Sequence, residues 1–142
     1  MNNQTIILGS DHAGFKLKEL VKKFLIVKRK KVLDLGTKNY KSVDYADFAH
    51  LLGKKLKKNK QFGILICGSG IGMSIAANRH KNVRAALCYD VKSAKLCRKH
   101  NNANVIAIGA RLTKNKVALK CIEMFLKTNF DGGRHLKRIK KI

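Results

Sequence analysis

The sequence predicts an α/β protein built on a parallel sheet. Two observations carry that prediction. Short aliphatic or β-branched runs alternate with longer segments of helical period through five units in 142 residues. The run Gly63 to Cys67 is apolar throughout, as a strand covered on both faces must be. The length suits one domain spanning residues 1–142. A chain of this size buries roughly two-thirds of its unfolded surface, so its core requires neither disulfide nor metal.

Thr5 to Leu8 reads as the first strand. A helix from about Gly14 to Val27 follows, with Phe15, Leu17, Leu20, Val21, Phe24 and Leu25 on its apolar face and Lys16, Lys18, Lys22 and Lys23 on its polar side. Lys31 to Leu35 is the second strand, ending at Gly36. A loop with Tyr40, Ser42 and Asp44 leads to a helix from about Tyr45 to Lys58, with Phe48, Leu52 and Leu56 inward. After the central strand at Gly63 to Cys67, a glycine loop opens a helix from about Gly72 to Arg79. Val83 to Cys88, Val91 to Asn101, Asn104 to Ile108 and Lys114 to Lys127 then read as strand, helix, strand and helix. The segment from Asp131 to Ile142 is a basic tail or short helix.

Charge and cysteine content narrow the function classes. The net charge is +24, with 32 Lys and Arg against 8 Asp and Glu. Lysines are spread along the whole chain on the polar sides of amphipathic segments. They describe a solvated surface that adheres to polyanions without being a specific nucleic-acid site. The N-terminus, Met1-Asn2-Asn3-Gln4, lacks the layout of a secretory signal, and no apolar run approaches the ~20 residues of a membrane span. A soluble cytoplasmic protein is expected. Cys67, Cys88, Cys97 and Cys121 contain no C-x-x-C pair, which disfavours a zinc ribbon. Cys97 and His100 have ligand spacing but no second pair, so no metal and no cofactor are expected.

In parallel α/β sheets, ligands gather beyond the carboxyl ends of the strands, where strand order reverses. The segment there with the most chemistry is Cys67-Gly68-Ser69-Gly70-Ile71-Gly72. Alternate glycines between a buried strand and a helix can turn successive N–H groups toward an anion. No Lys-Ser or Lys-Thr follows for a P-loop, and Met73 takes the third glycine position of the dinucleotide fingerprint. A cysteine at such a strand end is placed to act as a thiolate base or nucleophile, and Ser69 could hydrogen-bond a developing oxyanion beside it. Cys88, Cys97 and Cys121 read as core fillers. His12 follows Asp11 at the end of the first strand, and His100 precedes Asn101 at the end of a helix. His50 and His80 read as surface residues. Arg111 stands just past the fifth strand, while Arg134 and Arg138, four apart, make a phosphate clamp on one helix face.

Assembled, these residues resemble the B-type ribose-5-phosphate isomerases and the related galactose-6-phosphate isomerase subunits. The resemblance runs from about Ile6 to Arg138. It rests on Gly9-Ser10-Asp11-His12-Ala13-Gly14, on Asp44-Tyr45, on Gly63 through Gly72 with Ser74-Ile75-Ala76-Ala77-Asn78, and on His100-Asn101. Asn104-Val105 through Gly109-Ala110-Arg111 and Gly132-Gly133-Arg134-His135 with Arg138 complete it. It implies a three-layer αβα sandwich around a Rossmann-like five-stranded parallel sheet, with the strand order 2-1-3-4-5 expected. It also implies a homodimer, sometimes paired into a tetramer, with active sites at the subunit interface.

The activity implied is aldose–ketose isomerisation of ribose 5-phosphate and ribulose 5-phosphate through an enediolate. Cys67 would move the C2 proton and His100 would open the sugar ring. Asp11 would position or protonate sugar oxygens, and Ser69 with the amides of Gly68, Gly70, Ile71 and Gly72 would hold the enediolate. His12, Arg111, Arg134 and Arg138 would bind phosphate, and Asn101 and Tyr45 the sugar, with some of these residues coming from the neighbouring subunit. Ala46 stands where the family usually has proline, which should loosen the loop carrying Tyr45. Allose or galactose 6-phosphate is the alternative substrate, and a noncatalytic nucleotide or nucleic-acid binding module the remote alternative.

Overall fold

The computed structural model describes residues 4–57 and 61–142. The strands are β1 (Thr5–Ser10), β2 (Val32–Asp34), β3 (Gln61–Cys67), β4 (Ala85–Leu87) and β5 (Val105–Gly109). The helices are α1 (Phe15–Val27), α2 (Tyr45–Lys55), α3 (Ile71–Ala77), α4 (Val91–Asn101), α5 (Asn115–Lys127) and α6 (Arg134–Ile139). Every predicted element is present with ends shifted by a few residues. The predicted extension of the second helix to Lys58, and the polar start at Met1 to Asn3, lie outside the described residues.

All strand pairs are parallel, and side-chain alternation divides the core into two layers. Ile6, Leu8, Ile64, Ile66, Ile106 and Ile108 face α1, α4 and α5. Ile7, Leu65, Cys67, Val105 and Ala107 face α2 and α3. The period of two along each strand therefore produces the three-layer sandwich.

The strand order is β2-β1-β3-β5-β4, so β5 and not β4 lies beside β3. Burial explains this correction. Val105 to Gly109 is buried at every position and takes an interior place, whereas Ala85 to Leu87 is half-exposed and forms the edge. Order still reverses between β1 and β3, and the ends of β1, β3 and β5 are brought level by the registers Ser10↔Ile66 and Cys67↔Gly109. The crevice where a ligand belongs thus opens over Ser10 and Cys67.

Local chemistry sets several boundaries. Asp90 begins α4 with a capping box, its carboxylate accepting from Ser93 N while Ser93 Oγ accepts from Asp90 N. Asn102, left-handed at φ 46°, ends the same helix. Lys18 departs from its predicted place on the polar side of α1. It is buried, with Nζ 2.7 Å from Asp34 and 2.9 Å from Glu19, because the end of β2 folds over it. Burial disfavours ionisation of Asp34, but hydrogen bonds from Lys18, Gly36 N and Lys22 outweigh it and hold its pKa below the ordinary carboxylate value.

Candidate active site

A pocket of about 590 Å³ occupies the crevice beyond β1 and β3. Asp11, His12, Tyr45, Cys67, Gly68, Ser69, Ile71, Gly72 and Arg111 line it, bringing together nine of the residues singled out from the sequence, with Ala13, Ile75 and Leu112 completing the wall. The loop after β1 is tied to β3 by Asp11 N donating to Ile66 O at 3.3 Å. Asp11 is buried, and its Oδ1 accepts from Gly14 N at 3.0 Å. His12 is oriented by a contact with no sequence signal, its Nδ1 accepting from Val43 N at 3.2 Å. A backbone N–H can only donate, so Nδ1 is unprotonated and Nε2 carries the proton.

The glycine loop is held by internal hydrogen bonds and close contacts. Cys67 is 4% exposed, and its Sγ accepts from Gly70 N at 3.1 Å. Gly70 has φ 78°, and a Cβ there would lie 2.6 Å from Leu87 Cδ1. Ser69 Oγ accepts from Ile71 N at 3.2 Å, leaving its hydroxyl proton to donate elsewhere. The expected convergence of the loop's amides on one anion is therefore modified. The N–H groups of Gly70 and Ile71 serve Cys67 and Ser69 instead, and Gly70 stands behind the pocket wall. Arg111 is joined to the loop by its N–H donating to Gly68 O at 3.0 Å, and its guanidinium lies against Gly68. Tyr45 is the first residue of α2, and its ring sits so close to Gly72 that a Cβ there would be 2.5 Å away. Ala46 thus lies in the first turn of a helix that starts without proline, and Tyr45 has a defined packing partner.

Cys67 differs from the other thiols. Cys88, Cys97 and Cys121 are buried in the α1/α4/α5 layer, as expected of core fillers. The hydrogen bond with Cys97, at 3.9 Å between sulfurs, and burial push the Cys88 thiol up, and burial raises Cys121 to about 11. Cys88 and Cys121 are thus inert bases near neutral pH, whereas the hydrogen bond from Cys88 lowers the Cys97 thiol.

His100, Asn101, Arg134 and Arg138 are absent from the pocket lining. α4 starts beyond the carboxyl end of β4 and runs back, so His100 and Asn101 emerge at the amino ends of the strands, where β5 begins. α6 joins them there, with the His135 and His100 rings stacked at 4.3 Å and 11° between planes. Burial and the nearby charges of His100, Arg134 and Arg138 lower the His135 pKa. The sequence reading also underrated His50 and His80. They are not independent surface residues but a hydrogen-bonded pair, Nδ1 to Nε2 at 2.8 Å, joining α2 to the turn after α3.

Residues 6–142 match the family described as Ribose/Galactose Isomerase. The chain belongs to that family. A crystal structure of a ribose 5-phosphate isomerase from Thermotoga maritima is 48% identical, with TM-score 0.94 over 97% of this chain and 96% of that one. The Mycoplasma genitalium ribose-5-phosphate isomerase B, solved with bound ribulose-5-phosphate, is 44% identical with TM-score 0.94, covering 96% and 92%. The Escherichia coli ribose-5-phosphate isomerase B is 37% identical over 96% of this chain and 93% of its own length. Among the described residues, no helix is long and apolar enough to cross a membrane.

Proposed function

We propose that the protein interconverts ribose 5-phosphate and ribulose 5-phosphate, in the non-oxidative pentose phosphate pathway of the cytoplasm. The observation that carries this reading is that Cys67 lines one pocket together with the buried Asp11, with Ser69 and with Arg111. The ribulose-5-phosphate bound to the Mycoplasma genitalium relative names the substrate.

In the forward direction the Cys67 thiolate removes the proton on C2 of the open aldose, and the electron pair moves to form the C1–C2 double bond while the carbonyl oxygen takes up charge. Ser69 Oγ–H and free loop amides are placed to stabilise that enediolate. The proton returns from Cys67 to C1, O2 gives up its hydroxyl proton to become the ketone oxygen, and O1 takes up a proton to become the C1 hydroxyl, so that one proton passes in net from O2 to O1. Proton removal beside a carbonyl needs a base together with preorganised donors, and Cys67 and Ser69 line the pocket where both are required. His12 Nε2–H and Arg111 offer donors to the phosphate at one end.

One chain leaves this site incomplete, because ring opening by His100, sugar contact by Asn101 and phosphate binding by Arg134 and Arg138 all belong to the opposite end of the sheet, at the amino ends of its strands. A second copy in a homodimer, itself able to pair into a tetramer, would bring those residues over the pocket. Ile71, Ile75 and Leu112 support such a contact, since they surround the pocket mouth with their apolar side chains exposed.

Subunit complementation tests both parts of the reading. Cys67→Ala and His100→Asn should each lack ribose 5-phosphate turnover in EDTA. When the two are unfolded together and refolded, half the dimers carry one intact site, so roughly a quarter of parental activity should return. No turnover by the parent on ribose 5-phosphate, with turnover on allose or galactose 6-phosphate, would overturn the substrate. No recovery from mixed variants would overturn the shared site.

A further inference from the structure

We propose that His100, Asp131 and His135 form a binding site for a borderline divalent metal such as Zn²⁺ or Co²⁺. Occupation of this site reversibly inhibits the enzyme by withdrawing His100 from use. The binding claim stands on geometry alone, whereas the inhibition rests on the assignment of His100 to ring opening made above.

One ligand atom from each of the three side chains lies within 4.8 Å of the other two. The chain is arranged to produce that meeting. Asp131 N donates to Lys99 O at 3.0 Å, pinning the carboxylate's backbone to the last turn of α4. Gly132 and Gly133, at φ 66° and 51°, then turn the chain so that α6 returns over α4. A Cβ at either glycine would meet nothing, so it is this left-handed backbone, not space, that calls for glycine there. The turn delivers the His135 ring onto His100.

The donor set selects the metal. Two imidazoles and one carboxylate, without thiolate, suit Zn²⁺, Co²⁺ or Ni²⁺ and leave a fourth position for water, whereas Mg²⁺ and Ca²⁺ prefer oxygen-rich shells. Zn–N and Zn–O bonds of about 2.0–2.2 Å require the ligand atoms to draw somewhat closer than they stand. A metal lies in the plane of each imidazole that binds it, so one of the stacked rings must also tilt. His135 is free to do so, because no hydrogen bond fixes its ring among the described residues. Lys99 Nζ, 3.4 Å from Asp131 Oδ2, and the neighbouring Arg134 and Arg138 oppose a cation. These charges weaken the affinity, as suits an inhibitory site and not a structural one.

Co²⁺ titration of the dialysed protein, followed by visible absorption, tests the binding. The parent should develop weak d–d bands without the intense near-ultraviolet band of a cobalt–thiolate bond. Loss of even an outer-shell partner costs a metal site ~10–100-fold in affinity, so His135→Ala and Asp131→Asn should each weaken binding by no less. Zn²⁺ should inhibit the parent reversibly by EDTA, and His135→Ala, which keeps the proposed catalytic and phosphate groups, should retain turnover and escape inhibition. Equal Co²⁺ binding by parent and both variants, a thiolate band, or unchanged Zn²⁺ sensitivity in His135→Ala would overturn the proposal. The cobalt spectrum requires no turnover, so failure of the isomerase reading and failure of the metal site are separately visible.

Discussion

The backbone N–H of Gly70 points at Cys67 Sγ from 3.1 Å, and Gly70 reaches that position only through a left-handed backbone at φ 78°. Side chains other than glycine pay about 1–2 kcal/mol for this conformation. A Cβ would also stand 2.6 Å from Leu87 Cδ1 and 2.9 Å from Ile108 C. Gly70→Ala should therefore unfold at lower urea, by about 2 kcal/mol or more, and lose most turnover. Selective alkylation of Cys67 should slow in parallel. A parental urea midpoint together with a parental alkylation rate would sever the link between this glycine and the thiol.

Lys18 and Asp34 make a second testable pair. Lys18 is 1% exposed, and besides Asp34 its ammonium meets Glu19, itself 39% exposed, and lies over the Phe15 ring at 5.3 Å from the centroid. Removing one partner from a buried ion pair costs about 3–5 kcal/mol, because the other charge stays behind. Asp34→Asn should fall near the low end of that range, since Glu19 remains. The double variant Lys18→Met, Asp34→Asn should lose less than the sum of the single changes. Strict additivity in urea unfolding would show that the pair is not coupled. Because the Asp34 pKa is lowered, the stability it adds is present above the unfolded carboxylate value of about 3.9 and is lost as pH falls through the lower folded value.

These two contacts also mark how far the sequence alone can be read. Periodicity locates the strands and helices because a core face must repeat every two or 3.6 residues, and the run Gly63 to Cys67 shows which strand is central. Strand order was less legible, since β4 and β5 are both aliphatic and differ mainly in length and burial. In the site, Asp11, Cys67 and Ser69 announce themselves by position at strand ends. The Val43 N–H that orients His12 carries no signal, because a backbone donor is the same in every residue. The place of Lys18 on α1 predicts a solvent-facing side chain, and only the fold of β2's end encloses its charge. His50 and His80, 30 residues apart, meet only through packing of α2 against the α3 turn.

That histidine pair sets a separate pH window. Burial, then the charges of His50 and Lys54, lower the His80 pKa from its ordinary value. The unfolded chain then binds more protons over this range, so stability rises with pH. The contribution is complete above about pH 6.5, the unfolded histidine value, and is lost as pH falls through the lower folded value. Urea midpoints should decline for the parent between roughly pH 7 and 5, and less for His80→Asn. An equally steep decline in the variant would place the responsible proton elsewhere.

Salt should stabilise this protein, against the usual expectation for ion-paired surfaces. Five ion pairs are formed among the described residues, and they engage only Lys18, Lys22, Lys28 and Lys99. With 32 Lys and Arg against 8 Asp and Glu, most cations face other cations. At ~0.15 M ionic strength the screening length is about 8 Å, which damps repulsion across the surface but reaches the enclosed Lys18–Asp34 contact much less. The Tm should therefore rise between low and moderate NaCl. Sodium sulfate at equal ionic strength separates two causes. An equal rise points to general screening of lysine repulsion. A rise confined to sulfate would instead locate the effect in anion binding at sites such as Arg111 or the Arg134–Arg138 face, and a fall in both salts would mean that the few ion pairs outweigh the many unpaired cations.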